Sequence, residues 1–259
     1  MNFAGKTALI TGGTRGIGRA ISLAFAEKKC SSIIIIGRDA KAAEKTLDLL
    51  HERGSFGTFY RADLLDESTF KKLSKDILYK FDSLDFLINN AGINEPGGIF
   101  SFNSEVWDRV NHVNVKAPLL LTSNFAEHIN SGGSVVNISS VLGLTSVPEM
   151  LYYCVSKAAI IAATKQMALD FASRGVRVNC IAPGLTDTEM PRKGAAELGD
   201  PEKILKEWLK NYPIKRICNP REIAEAVCFL CSQDASFITG SVLPVEGGFL
   251  ISAEGGLNE

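Results

Sequence analysis

The sequence predicts an α/β fold: a doubly wound parallel sheet of about seven strands in a single domain, residues 1–259, with helices on both faces. Two observations carry this. Short apolar runs alternate with helix-length stretches, so each strand is joined to the next by a crossover rather than a hairpin. Several runs, Ser32-Ile33-Ile34-Ile35-Ile36 above all, are continuously apolar and β-branched, which suits strands covered on both sides.

The first strand is Thr7 to Ile10. It runs into Thr11-Gly12-Gly13-Thr14-Arg15-Gly16-Ile17-Gly18, and then into a helix marked by Ala20, Ile21, Ala24 and Phe25. Glycines at a strand-to-helix turn leave backbone N–H groups and the helix N-terminus open to an anion. Their missing β-carbons let a pyrophosphate come close. The second strand, Ser32 to Ile36, ends at Gly37-Arg38, and a helix from Ala40 to Arg53 leads to a strand from Gly57 to Arg61, closing at Ala62-Asp63. A helix from Glu67 to about Phe81 precedes the strand Leu84 to Ile88, which enters Asn89-Asn90-Ala91-Gly92. Ser104 to about Ile129 reads as one long helix, Ser134 to Ile138 as a strand and Met150 to Arg174 as a second long helix. Val176 to Ile181 is a strand ended by Pro183-Gly184. From Leu185 to Pro213, Pro191, Pro201 and Pro213 surround one short amphipathic helix near Lys203 to Lys210. Residues 185–213 are therefore expected to form a mobile cover over the site. A helix from Pro220 to Ser232 and a strand from Ser241 to Val245 complete the chain.

Composition narrows the partners. A net charge of -1 supplies no global field for nucleic acid or an anionic membrane. The N-terminus enters the first strand directly, without room for a targeting segment, and no apolar run approaches the roughly 20 residues of a bilayer span. A cytoplasmic protein is expected. The six cysteines are scattered, which fits reduced thiols, and Cys228 and Cys231 lie one turn apart on a helix pattern without a second pair for zinc. No metal is expected.

The chemistry gathers in the second half. Tyr153 and Lys157 stand at i and i+4, so phenol and ammonium share one helix face. A nearby cation favours phenolate, and Lys157 is expected to draw Tyr153 down from about 10 toward the working range of a general acid. Tyr152 is a rival, but its i+4 residue is Ser156. Ser140 ends the strand before that helix, where a hydroxyl can hydrogen-bond a carbonyl, and Asn114 sits inside a long helix, where asparagine needs a reason.

These motifs, in this order, resemble the short-chain dehydrogenase/reductases, a family of Rossmann-type NAD(P)-dependent oxidoreductases. The likeness runs from Gly5 to Gly248. It implies a catalytic set of Asn114, Ser140, Tyr153 and Lys157, with direct hydride transfer between the nicotinamide and a ketone or secondary alcohol. The family's matching asparagine kinks its helix and holds a water that links the lysine to solvent. The likeness also implies cofactor contacts at Gly12, Thr14, Arg15, Gly16, Ile17 and Gly18, at Asn90, Ala91 and Gly92, and at Ile138, Tyr153 and Lys157. Asp63 and Leu64 would meet adenine, Pro183, Gly184 and Thr186 would border the cleft, and Thr188 would hold the carboxamide.

Charge selects the nucleotide. Arg38 ends the second strand and Arg15 precedes Gly16, so two guanidiniums can flank a 2′-phosphate, and NADP(H) is expected over NAD(H). Asp39 would reach a ribose only if Arg38 points to solvent. The pocket falls to Glu95, Pro96, Leu142 and Pro148, with Glu149, Met150, Leu185 and Met190, a mix that favours an aliphatic or alicyclic ketone. Ser173 to Asn179 and Ile238-Thr239-Gly240 are similar to the 3-oxoacyl-acyl-carrier-protein reductases, though carbonyl, sugar and steroid reductases share these features. Arg174 could meet an acidic carrier, but Glu127-His128 stands where a second basic residue is expected, which weakens that partner. The helices Ser104 to Ile129 and Met150 to Arg174 resemble the pair that forms a four-helix dimer interface in the short-chain dehydrogenase/reductase family, and apolar Phe249, Leu250 and Ile251 suit a second interface, so a homotetramer is expected. A non-catalytic NADP(H)-binding sensor or scaffold is the alternative from another class.

Overall fold

The computed structural model describes residues 1–252. Residues 253–259, the end of the expected single domain, lie outside the described residues. Seven strands form one sheet in the order β3-β2-β1-β4-β5-β6-β7, every pair parallel. In chain order they are β1 (Thr7–Thr11), β2 (Ser32–Gly37), β3 (Phe56–Arg61), β4 (Leu84–Asn89), β5 (Ile129–Ile138), β6 (Arg177–Pro183) and β7 (Val242–Val245). The helices are α1 (Gly16–Glu27), α2 (Ala40–Glu52), α3 (Glu67–Phe81), α4 (Ser104–Asn111), α5 (Ala117–Phe125) and α6 (Leu151–Ala172). After β6 come α7 (Glu189–Leu198), α8 (Pro201–Leu209) and α9 (Pro220–Cys231).

Strand alternation decides which side each residue serves. Ile33 and Ile35 of β2 join one core with Ile21 and Phe25 of α1, Ala43 and Leu50 of α2, and Val227 of α9. Ile34 and Ile36 join the other, with Phe70 and Ile77 of α3, Leu121 and Phe125 of α5, and Met167 and Phe171 of α6. A strand with both faces buried has no polar face to show, which is why β2 is all isoleucine between its ends. Cys228 and Cys231 pack in the first core, and burial pushes the Cys228 thiol up to about 12.

The strand order turns back on itself between β1 and β4, and there the crevice for a ligand opens beyond the strand ends. Thr11 and Asn90 close the floor of that crevice. Asn90 Nδ2 donates to the Thr11 carbonyl at 2.9 Å, and Thr11 Oγ1 accepts from the N–H groups of Asn90 and Ala91, each at 3.0 Å.

Two elements depart from the sequence expectation. The long helix expected from Ser104 to Ile129 is broken: α4 gives way at His112–Lys116 to a π-helical turn, α5 follows, and Ile129 already pairs with Leu84 as part of β5. The segment from 185 to 213 holds two helices rather than one. Pro191 and Gly194 hide α7 in the sequence, yet Pro191 lies in its first turn, where a missing N–H costs nothing.

Candidate active site

The glycine turn between β1 and α1 is shaped as an anion cradle. A β-carbon on Gly18 would lie 2.2 Å from the Gly12 carbonyl oxygen, and one on Gly12 would lie 2.9 Å from Asn90 Nδ2. Gly16, with φ +52°, takes the left-handed conformation that ends the turn. Arg15 occupies the N-cap of α1 without a side-chain hydrogen bond, and no acidic residue stands in the first turn. By contrast, Asp39, Asp66, Asn103, Asp200 and Asn219 cap α2, α3, α4, α8 and α9. The first-turn N–H groups of α1 are thus left for an anion, and the cradle fits a dinucleotide's diphosphate. Thr14 is buried against Gly37, and Ile17 and Ala91 are half-buried beside the turn.

Charged residues surround the outer side of the glycine turn. Arg15 donates to Glu189 at 2.6 Å and to Asp39 at 2.5 Å, while the other Asp39 oxygen accepts from the Ala42 N–H at 3.0 Å. The Asp39 carboxylate is therefore held by a helix cap and an arginine. Arg38 is exposed, 3.7 Å from Asp63, and Asp63 also accepts from the Leu65 N–H. Leu64 turns its side chain into the core beside Phe70 and Leu73.

At the other end of the crevice the structure brings Asn114, Ser140, Tyr153 and Lys157 together. The π-helical turn carries Asn114, whose side chain accepts from the Ile93 N–H and donates to the Ile93 carbonyl, both at 2.9 Å, and to Ser156 Oγ at 3.0 Å. A β-carbon on Gly92 would lie 3.3 Å from both Asn114 Oδ1 and Lys157 Nζ. Lys157 is buried and donates to the Ile138 carbonyl at 2.9 Å, with its Nζ 5.5 Å from the centre of the Tyr153 ring. Ser140 Oγ accepts from the Leu142 N–H at 3.1 Å, which leaves its proton free to donate.

Electrostatics correct one expectation. Burial pushes the Tyr153 phenol up to about 12, opposed by its interaction with Ser140, and burial draws Lys157 down to about 8. Lys157, anchored on the Ile138 carbonyl, does not lower the phenol here, and desolvation dominates. Tyr152 is fully occupied elsewhere: its hydroxyl accepts from the Asn103 N–H at 2.6 Å and donates to the Ser101 carbonyl at 3.3 Å.

Around the pocket, Glu95 is taken by Arg109. Met150 caps the start of α6, Leu142 lies in the turn after Ser140, and Pro148 and Glu149 are exposed. Leu185 donates its N–H to the Tyr212 hydroxyl at 3.0 Å, and Met190 is exposed on α7. Pro183 ends β6, Gly184 is pressed against Glu246 and Tyr212, and Thr186 Oγ1 donates to the Gly184 carbonyl at 3.0 Å. Thr188, at the N-cap of α7, has its Cγ2 3.2 Å from where a β-carbon on Gly16 would sit, so the segment after β6 reaches the glycine turn. Arg174, the candidate carrier contact, is paired with Glu127. Phe249 stacks on Tyr212 with centroids 4.8 Å apart, so it serves this chain's own packing.

Sequence reasoning missed a supporting layer. Asn89 Nδ2 donates to Thr122 Oγ1 at 3.1 Å and to Asn137 Oδ1 at 2.8 Å, and Asn137 Nδ2 donates to Thr164 Oγ1 at 2.9 Å. This buried chain ties β4, α5, β5 and α6 together directly behind the site. Gly143 was also missed: a β-carbon there would lie 2.7 Å from the Lys157 carbonyl, so only glycine lets the Ser140 turn sit against α6. Asparagines inside otherwise apolar strands were the available signal.

Fold and site define an oxidoreductase with a cradle for a dinucleotide. A sequence profile described as Enoyl-(Acyl carrier protein) reductase matches residues 12–250. The 3-oxoacyl-[acyl-carrier-protein] reductase FabG of Chlamydia trachomatis is 36% identical over 247 residues, 94% of this chain and 96% of that protein. Among solved structures, the L-sorbose reductase of Gluconobacter frateurii complexed with NADPH and L-sorbose superposes with a TM-score of 0.92 at 29% identity. It covers 98% of this chain and 99% of the other. An NAD+-bound xylitol dehydrogenase superposes with a TM-score of 0.88 at 30% identity over 96% of this chain and all of the other, 100%. The chain belongs to the short-chain dehydrogenase/reductase family. Among the described residues, no helix is long and apolar enough to cross a membrane.

Proposed function

We propose that this protein is an NADP(H)-dependent reductase of an aliphatic or alicyclic ketone, reversible toward the secondary alcohol. The observation that carries the reading is the convergence of Ser140, Tyr153 and Lys157 beside an uncapped helix N-terminus at the strand ends. The cofactor, when bound, supplies a hydride to the carbonyl carbon. Tyr153 hands its proton to the carbonyl oxygen, and a phenol raised to about 12 is fully protonated and ready to do so at neutral pH. Ser140 donates a hydrogen bond to the same oxygen, keeping its own proton, and so polarises the carbonyl. Lys157 holds positive charge under the ring and grips the nicotinamide ribose, and Asn114 fixes Ile93 and leads the proton relay toward solvent. The test is Tyr153→Phe: kcat should fall about 10²–10⁴-fold, while NADPH affinity, read by fluorescence titration, stays within a factor of about three. Undiminished turnover would refute the assignment.

In this reading the diphosphate rests on Gly12, Gly16 and Gly18, with Thr14 and Ile17 beside it. Asp63 and the Leu64 backbone border the adenine. Asn90, Ala91 and Gly92 with Ile138, Pro183 and Gly184 wall the cleft, and Thr186 and Thr188 close it over the carboxamide. Arg15 and Arg38 take the 2′-phosphate. Support comes from the NADPH in the L-sorbose reductase structure. The expected result is a KM for NADPH at least about tenfold below that for NADH, since each 1.4 kcal/mol of charge-assisted binding is tenfold; equal constants would overturn it.

Residues 185–213 act as the mobile cover. An acyl-carrier protein is the disfavoured partner, because Glu127 neutralises Arg174. We also infer a cytoplasmic homotetramer. The first part is supported by six free cysteines, the second by exposed Leu119 on α5 and by Val155 and Leu169 on α6.

A further inference from the structure

Asn94 lies between the end of β4 and α4, at the rim of the cleft that holds Tyr153, and it is held on a rigid mount. On one side the Asn114 side chain binds both the N–H and the carbonyl of Ile93, each at 2.9 Å. On the other, Arg109 grips the Glu95 carboxylate through two hydrogen bonds. Further along, Gly97 donates its N–H to the Glu149 carbonyl at 2.8 Å and accepts from the Leu151 N–H at 3.0 Å, which ties the segment to the start of α6.

The Asn94 amide is nonetheless poorly partnered. Its Oδ1 is buried with no hydrogen-bond partner among the described residues. Its Nδ2 reaches only the thioether of Met150, at 3.8 Å, a weak acceptor. A buried amide oxygen left without a partner carries a desolvation cost that nothing offsets. The position is also functional ground, since Met150 precedes Tyr153 by three residues and Gly92, two residues before Asn94, faces Asn114 and Lys157.

We propose that Asn94 reads a hydroxyl group of the substrate, and that the substrate class is a hydroxylated ketone rather than a plain hydrocarbon ketone. The inference rests on the reductase reading above. A hydroxyl both donates and accepts, so it satisfies either end of the amide. Met150, unbranched and flexible, can yield the space that the hydroxyl takes. A plain ketone in the same pocket leaves the amide buried and unpaired, and sites built to bind a hydroxyl reject analogues that lack it.

The experiment measures kcat/KM with NADPH for cyclohexanone and for 2-, 3- and 4-hydroxycyclohexanone, using wild type, Asn94→Leu and Asn94→Ser. In wild type, the best hydroxylated ketone should exceed cyclohexanone at least about tenfold, the factor given by one hydrogen bond of about 1.4 kcal/mol. Asn94→Leu should bring that ratio within about threefold, and Asn94→Ser, which restores a hydrogen-bonding group, should recover part of it. NADPH binding by each variant reports that the fold is kept. The inference is overturned if no hydroxylated ketone surpasses cyclohexanone in wild type, or if Asn94→Leu keeps the wild-type ratio. A Tyr153→Phe variant that turned over normally would instead overturn the reductase reading.

Discussion

Lys157 shows how far residue chemistry depends on its surroundings. At i+4 from Tyr153 it reads as an activating cation, and the spacing holds in α6. Only the packed structure shows it buried on the Ile138 carbonyl, with its own ammonium drawn down to about 8. The unfolded chain, with lysine near 10.4, binds more protons than the folded chain between about pH 8 and 10.4. The Lys157 contribution to stability therefore rises with pH across that window, and below it this one group costs the folded state on the order of 3 kcal/mol. The Tyr153 shift has the opposite sign, since a folded phenol raised to about 12 costs stability above pH 10. The buried thiols of Cys30 and Cys228, pushed up to about 12, and of Cys180, pushed up to about 11, lower stability as pH rises past about 9, so the test is a difference. The urea midpoint of wild type relative to Lys157→Met should rise from pH 7 to 10, and a constant difference would contradict the burial argument.

At the scale of elements, the strands and the glycine turn were legible because their signals are local. Continuous β-branched runs and a strand-to-helix glycine cluster each act over a few residues. The π-helical turn at His112–Lys116 was readable only as an asparagine out of place, and α7 was hidden by a proline in its first turn. Close approach makes the glycine turn testable. Gly18→Ala drives a β-carbon to 2.2 Å from a backbone carbonyl that cannot swing aside, so it should lower the melting temperature and weaken NADPH binding at least tenfold. Gly54→Ala is the control: it has open space and a φ of +78°, and should cost only the left-handed penalty of about 1–2 kcal/mol with cofactor affinity unchanged. Equal binding by both variants would show that the turn is not the cradle.

For the whole molecule, the apolar residues left on the helical surface bear on assembly. Leu169 of α6 is 73% exposed and Phe237 is fully so, while Phe249 is spent on Tyr212. Singly exposed leucines are ordinary, but these lie on or beside the long helices that the tetramer reading assigns to an interface. Sedimentation velocity at micromolar concentration should give a tetramer, and Leu169→Glu should shift it to a smaller species. A monomeric wild type would sink the assembly reading and leave the active-site reading untouched.

The sequence by itself determined the alternation of strands and helices, the position of the glycine turn and the shared helix face of Tyr153 and Lys157, because each is encoded in contiguous residues or a single helical turn. The tertiary structure decided what those groups experience. Which charges neighbour Arg15 and Arg38, which way burial moves Tyr153, and which buried amide is left without a partner all depend on residues far apart in the chain. Desolvation and Coulomb energies follow distance in space, and no local pattern records it.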